Sequence, residues 1–139
     1  MTTRAHRPPP VSIVLRIFDD QMEDLARARR DVFRRGMIAD LREHHPRETA
    51  ALSDAGLTEL IDEGMRRART HGIVTEGDVA SWLHLMLDLG RDFDREIPWA
   101  RDILAREDFT GRIRIDLLVA ASEGRIPPPG TAFFPDPER

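Results

Sequence analysis

Glycine and proline breaks constrain the fold of this chain most, because they divide it into short segments. The breaks lie at Pro46, Gly72, Gly90, Pro98 and Gly111. Between them, apolar residues recur at intervals of three or four, which is the spacing of a helix with one buried face. Proline and glycine commonly mark the ends of such helices. We therefore predict an all-α fold, a compact bundle of about five helices.

The predicted helices differ in how much of their surface is apolar. We expect the first to span about residues 19–44, from an aspartate N-cap to the residues before Pro46. The segment Val79–Leu89 is apolar nearly all round, which is typical of a helix at the buried centre of a domain. We expect Trp82 and Trp99 to be large core residues.

The first residues of the chain read differently from the rest. Ile13, Leu15 and Ile17 occupy alternate positions, and this period of two predicts a short extended strand. A strand without a partner in its own chain lies on helices or pairs with another chain. We therefore predict that residues 1–18 form an N-terminal arm with a short extended segment.

The last residues are rich in proline, with five prolines between residues 124 and 139. Proline at this density excludes regular helix or sheet, so we predict a proline-rich tail over residues 124–139. Residues 19–123 then form the helical domain, and 139 residues suffice for one domain with its own core. Phe133 and Phe134 are costly to leave in water, so they are candidates for docking onto this domain or onto a partner.

Composition excludes several classes of function. The chain has no cysteine, which excludes disulfides and thiolate metal sites. A net charge of -4 argues against general nucleic-acid binding. Its beginning lacks the apolar core of a signal peptide, and the longest apolar stretch is too short to span a bilayer. We expect a cytoplasmic protein that binds neither nucleic acid nor membrane.

Candidate chemical motifs in the sequence are incomplete. Asp92, Asp94 and Glu96 alternate as at the start of a calcium-binding loop, but Ile97 and Ile103 stand where that loop needs glycine and glutamate. We expect an acidic turn that is solvated or pairs with nearby arginines. No two histidines have the spacing of a helical zinc motif, and phosphate-binding and serine-nucleophile motifs are missing. We predict no catalytic residue, no metal and no cofactor.

Several turns and helix starts follow an order shared with a known group of proteins. The most specific are the turns Gly72–Glu76 and Gly90–Asp94 and the helix start Pro98–Ala100. The other matching positions are Gln21, Met22, Phe33, Met37, Leu41, Arg42, Pro46, Leu85, Met86, Ile103 and Leu104. Over about residues 13–106, the chain resembles small helical proteins of proteobacteria encoded beside PAAR-type spike and effector genes of type VI secretion and related contractile injection systems. The resemblance implies a shared fold more than a shared reaction.

The resemblance implies a non-enzymatic role in protein–protein interaction, as an adaptor or chaperone for a secreted effector or spike protein. The alternative is an immunity protein that inhibits a co-encoded toxin, since an acidic surface suits a basic cleft. We expect partner contacts at Ile13, Leu15, Ile17, Asp92, Asp94, Phe133 and Phe134.

Other classes of function are less favoured but stay open. A small enzyme would need a concave site with converging polar groups. A DNA-binding regulator would need an arginine-lined face and salt-sensitive binding. A homo-oligomer is also compatible with the sequence.

Overall fold

The computed structural model describes the backbone of residues 11–126 and the side chains of residues 15–126. This part of the chain forms seven helices and no strand. They are α1 (Val11–His44), α2 (Pro46–Thr49), α3 (Asp54–Thr70), α4 (Glu76–Leu89), α5 (Phe93–Glu96), α6 (Pro98–Ala105) and α7 (Gly111–Ser122). The all-α prediction is confirmed for these residues. Two of the seven, α2 and α5, are single turns of four residues, so the expected number of about five is lower than the number found.

The chain divides into two compact units, Met1–Gly36 and Met37–Arg139. Helix α1 runs through the boundary between them. The second unit contains α2 to α7 together with the last residues of α1. None of the described helices is long and apolar enough to cross a membrane.

Residues 11–18, which include Ile13, Leu15 and Ile17, are helical, so the predicted strand is wrong. An isolated strand leaves its backbone N–H and C=O groups without partners, whereas a helix pairs them within the segment. The alternating run is also the beginning of a longer helical pattern, because apolar residues continue at Phe18 and Met22. The helical spacing of the longer segment therefore outweighs the two-residue alternation of Ile13, Leu15 and Ile17.

Local capping explains where most helices begin. Ser53, Thr75 and Thr110 are N-caps, and the hydroxyl oxygen of each accepts a hydrogen bond from the backbone N–H three residues later, at 3.1, 3.3 and 3.2 Å. Pro46 and Pro98 occupy the first turns of α2 and α6, where the missing N–H costs nothing. The helix start predicted at Pro98 is confirmed, and Thr75 begins α4 by an equally local signal.

The core of the second unit is built around α4. This helix packs against α3, α5 and α7, and it buries Trp82, Leu83 and Met86. Gly64 on α3 allows the close approach: a Cβ at this position would clash with Leu83 Cδ2 and lie 2.8 Å from Met86 Sδ. The predicted central position of α4 is confirmed.

Trp82 is fully buried between two other rings. Its ring centroid lies 4.8 Å from that of Phe93 and 5.6 Å from that of His71. Trp99, by contrast, is only partly buried. Helix α6 turns a different face toward the core, formed by Ala100, Ile103 and Leu104.

Candidate functional site

A stripe of apolar side chains lies exposed along α1. The apolar stripe consists of Leu15, Phe18, Met22, Leu25 and Val32, which are between 51% and 66% exposed. Such side chains are usually buried, because each contributes about 1.5–3 kcal/mol on leaving water. A contiguous exposed set of them marks a surface that binds another apolar surface.

The apolar stripe has the spacing of a coiled-coil seam. Its first four residues follow one another at intervals of three, four and three, and Val32 comes seven residues after Leu25. A strict seven-residue repeat keeps such side chains in one line that faces a second helix. Arg29 takes the intermediate seam position, four residues after Leu25 and three before Val32.

Charge is distributed unevenly along the same helix. Four carboxylates lie between Phe18 and Leu25, namely Asp19, Asp20, Glu23 and Asp24. Four arginines follow Leu25, namely Arg27, Arg30, Arg34 and Arg35. Of these eight residues, only Asp19 and Arg35 occupy positions beside the seam, because the seven-residue repeat places the other six on the rest of the helix surface. The net charge therefore changes sign along α1, but the change is mostly away from the stripe.

The residues predicted to contact a partner fall in different places. Leu15 belongs to the apolar stripe. Ile17 is 52% exposed, but two residues along a helix are about 200° apart, so it faces away from Leu15. The side chains of Ile13, Phe133 and Phe134 lie outside the described residues. The helix thus places Leu15 and Ile17 on different faces, whereas the predicted strand placed them on the same face.

Most of the apolar stripe escapes prediction from the sequence. Of its five residues, Leu15 alone is predicted to contact a partner. The seven-residue interval that begins at Leu15 is the signal that could have found them. It is obscured when residues 11–18 are interpreted as a strand.

The predicted acidic turn lies beside a partly buried arginine. Arg67 on α3 donates to Asp92 Oδ1 at 2.6 Å and to Asp94 Oδ1 at 3.2 Å. It also donates to Glu63 Oε1 at 2.8 Å and to the carbonyl oxygen of Arg91 at 2.7 Å. The expected pairing of the turn with nearby arginines is confirmed. A role of Asp92 and Asp94 in contacting a partner protein stays a prediction.

The pKa values in this cluster follow from the pairing. The hydrogen bond from Arg67 lowers the pKa of Asp92 below its ordinary value. The hydrogen bond from Arg91 lowers the pKa of Glu63, and the charge of Arg67 adds to this effect. Both groups are therefore ionised at neutral pH. The cluster links α3 to the turn before α5 through hydrogen bonds. Its lowered carboxylate pKa values do not suit proton transfer near neutral pH.

Two histidines form a hydrogen-bonded chain in the second unit. His45 Nε2 lies 2.8 Å from His84 Nδ1. His84 Nε2 lies 2.7 Å from Asp40 Oδ2, and His45 Nδ1 lies 3.4 Å from Asp88 Oδ1. These hydrogen-bonded histidines join the C-terminal end of α1 to α4. His45 is only 7% exposed, so the contact is largely protected from water.

One partner of His84 defines where that ring carries a proton. The carboxylate of Asp40 can only accept, so His84 donates through its Nε2–H. His84 Nδ1 and His45 Nε2 share one hydrogen bond, whose direction depends on the tautomers of the two rings. His45 Nδ1 faces Asp88. The chain therefore fixes the orientation of both rings and links two helices.

A second polar group lies at the end of α1. The ligand atoms of Asp40, Glu43 and His44 lie within 4.8 Å of one another, close enough to hold a metal ion. Contacts within one helical turn account for part of this arrangement, since His44 Nδ1 lies 2.9 Å from the carbonyl oxygen of Asp40 and 3.1 Å from its Oδ1. We assign no ion to this group.

Comparison with protein-family models, with curated proteins and with solved structures gives no match to this chain. The resemblance to proteins of contractile injection systems therefore stays an expectation. The function has to be inferred from the geometry of the described residues, among which the apolar stripe is an extended set of exposed apolar side chains.

Proposed function

We propose that this protein is a non-enzymatic protein–protein interaction module, acting in the cytoplasm as an adaptor or chaperone for a secreted effector or spike protein. The observation that carries the proposal is the apolar stripe, five side chains in line that are each more than half exposed. Amphipathic helices bind other helices or apolar grooves through such lines. The client is the one that the sequence resemblance implies.

The polar clusters support a binding role over a catalytic one. Arg67 and the carboxylates around it are hydrogen-bonded to one another within the fold. Both ring nitrogens of His84 are likewise engaged by Asp40 and His45. A general acid or base needs an atom that can exchange a proton with a substrate. In these two clusters the candidate atoms already serve the packing of helices.

The burial of α4 supports protein binding over DNA binding. If α3 and α4 formed a helix–turn–helix, α4 would have to present polar side chains to the major groove. Instead it buries Val79, Trp82, Leu83, Leu85 and Met86. It also contains no arginine or lysine to contact the phosphates of DNA.

An immunity protein is the second candidate, favoured by the distribution of negative charge. The chain has a net charge of -4, and four carboxylates lie on α1 between residues 19 and 24. An inhibitor of a basic active-site cleft would use such a surface. The two candidates differ in what the partner does after binding.

Affinity capture from the native host tests the proposal. The tagged full-length chain is compared with Leu25→Glu, which places a charge in the stripe, and with Ile17→Glu, a matched change of an exposed residue off the stripe. We expect the wild type and Ile17→Glu to recover an effector or spike protein in stoichiometric amount. Leu25→Glu should bind that client at least about tenfold more weakly.

Other outcomes of this capture decide against the adaptor. Recovery of a toxin whose activity is abolished in the complex would assign the immunity role. Equal recovery of the client by Leu25→Glu and the wild type would show that the apolar stripe does not bind the client. Circular dichroism of both variants checks that each retains its helices.

A further inference from the structure

We infer that His45 and His84 form a pH-sensitive latch between the end of α1 and helix α4. The histidine latch consists of these two rings and the carboxylates at either end, Asp40 and Asp88. It is closed while one hydrogen bond joins the rings, and a further proton on the rings opens it. All four residues belong to the second unit, so the inference does not depend on the apolar stripe.

The distance between the two rings determines how many protons lie between them. His45 Nε2 and His84 Nδ1 are 2.8 Å apart, which is the length of a hydrogen bond. One of these nitrogens must donate and the other accept, so one proton lies between them. Two protons would place two N–H groups against each other, and no proton would place two lone pairs against each other. Either state opens the latch.

The two carboxylates determine the protons at the outer ends of the latch. Asp40 Oδ2 accepts from the Nε2–H of His84 at 2.7 Å, so this nitrogen carries a proton while the latch is closed. Asp88 Oδ1 lies 3.4 Å from His45 Nδ1, where it attracts an N–H and repels a bare lone pair. The closed latch therefore holds three protons on four ring nitrogens. This is one positive charge shared by two rings between two carboxylates.

A fourth proton has no acceptor within the latch. It would have to bind the one nitrogen that accepts from the other ring, and two N–H groups at 2.8 Å repel each other. His45 is buried, so little water is present to separate the two charged rings. The rings must then move apart, and the end of α1 loses this link to α4.

The charged groups around the latch differ in exposure and in sign. The ring of His44 lies 5.7 Å from that of His84. A hydrogen bond to the backbone carbonyl of Asp40 raises the pKa of His44, so His44 becomes charged early as the pH falls and opposes a further proton on His84. Other neighbouring charged side chains are exposed and screened by water, namely Glu43 on α1, Arg47 and Glu48 on α2, and Glu123 on α7.

The proton count predicts that the contribution of the latch to stability is greatest near pH 6.5. In the unfolded chain the two histidines titrate separately near this pH. Below it, the unfolded chain gains two protons here while the closed latch holds one, so stability falls with falling pH. Above it, the unfolded chain loses both while the closed latch keeps one, so stability falls with rising pH. The unfolding equilibrium constant changes by up to about tenfold per pH unit on either side.

Imidazole ¹⁵N NMR of the full-length wild type counts the protons directly, because the ¹⁵N shift of a ring nitrogen depends on whether it carries a proton. At pH 6.5 we expect the four ring nitrogens of His45 and His84 to carry three protons in total. At pH 5 we expect four protons and loss of the hydrogen bond between the rings. Two protons at pH 6.5, or an intact hydrogen bond between the rings at pH 5, would overturn the inference.

A double-mutant cycle of His45→Leu and His84→Leu tests the effect on stability. We expect the two changes to be coupled by about tenfold in the unfolding equilibrium constant at pH 6.5, and to be uncoupled at pH 5. A cycle of His45→Leu with His71→Gln is the matched control, because the ring of His71 stacks on Trp82, and its coupling should not change with pH. Equal coupling of His45 and His84 at both pH values would overturn the inference.

Hydrogen exchange of the wild type gives the same test without a variant that has to fold. The backbone N–H of Thr49 donates to the carbonyl oxygen of His45 at 3.0 Å, so it reports on the opening of this segment. We expect its protection, corrected for the intrinsic effect of pH on exchange, to fall by about tenfold from pH 6.5 to pH 5. Unchanged protection of Thr49 would mean that the second proton does not open the latch.

Discussion

Arg67 Nη2 lies 2.6 Å from the Oδ1 of Asp92, a residue 25 positions later in the chain. The other terminal nitrogen of Arg67 reaches Asp94, whose side chain is only 6% exposed. A carboxylate at that depth depends on its partner, because a buried charge without one is costly. Arg67 therefore decides whether the turn before α5 can pack against α3.

Replacing this arginine should destabilise the second unit. In Arg67→Met the side chain keeps much of its bulk but leaves Asp94 without its guanidinium. We expect the free energy of unfolding to fall by roughly 3 kcal/mol, the order seen when one partner of a buried pair is removed. Urea denaturation followed by tryptophan fluorescence measures it, because Trp82 is in the core.

Arg112→Met is the matched control for this prediction, because the Arg112 side chain is 70% exposed. Exposed ion pairs contribute little, so its unfolding midpoint should stay close to that of the wild type. Adding Asp94→Asn to Arg67→Met should recover part of the lost stability. Equal stability of Arg67→Met and the wild type would mean that the buried pair is not needed for folding.

The histidine chain predicts a difference between two adjacent residues. His45→Leu removes the hydrogen-bond partner of His84 Nδ1 in a buried position, so we expect a loss of about 1–3 kcal/mol in the free energy of unfolding. His44→Gln changes an exposed neighbour on the same helix end and should alter the midpoint much less. Denaturation of the two variants side by side measures the difference. A similar small effect of both changes would contradict a structural role for the chain.

Local signals predicted those parts of the fold that depend on neighbouring residues. The N-cap at Thr75 and the helix start at Pro98 act within one turn of backbone, so the sequence contains all the information they need. The close helix approach at Gly64 was also predictable, because a glycine within a helix is otherwise unfavourable. Residues 11–18 were not, since a run this short fits a strand and the beginning of a helix alike.

Contacts between distant residues could not be predicted from local pattern. His45 and His84 are 39 positions apart, and neither has a neighbour that indicates the other. Glu63 and Arg67 have the spacing of an exposed helical pair, and they do interact. Their partial burial comes from the turn at Asp92, which packs onto them from 25 residues away.

The stability of the fold should depend on pH through His71. Burial lowers the pKa of His71, and the charge of Arg114 lowers it further, while Asp94 opposes both. As the pH falls through about 6.5, the unfolded chain takes up a proton at this residue before the folded protein does. The unfolded state then binds more protons, so the contribution of His71 to stability is lost with falling pH.

Substitution by glutamine isolates this contribution from the other histidines. We expect the free energy of unfolding of His71→Gln, measured relative to the wild type, to improve as the pH is lowered from 7.5 to about 5. His44→Gln should show the opposite trend, because the hydrogen bond to the backbone carbonyl of Asp40 raises the pKa of His44. A constant difference between His71→Gln and the wild type across this range would exclude the predicted linkage.

The packing of α3 against α4 predicts opposite outcomes for two glycine-to-alanine changes. In Gly64→Ala the new methyl group clashes with Leu83 and crowds Met86, so we expect a loss of about 1–3 kcal/mol in spite of the better helix propensity of alanine. In Gly77→Ala the new Cβ meets no described atom within 4 Å, so the midpoint should stay unchanged or rise slightly. Urea denaturation of both variants measures the two effects on one scale. If Gly64→Ala were as stable as the wild type, α3 and α4 could separate without cost, and the close approach would not be what positions Trp82 in the core.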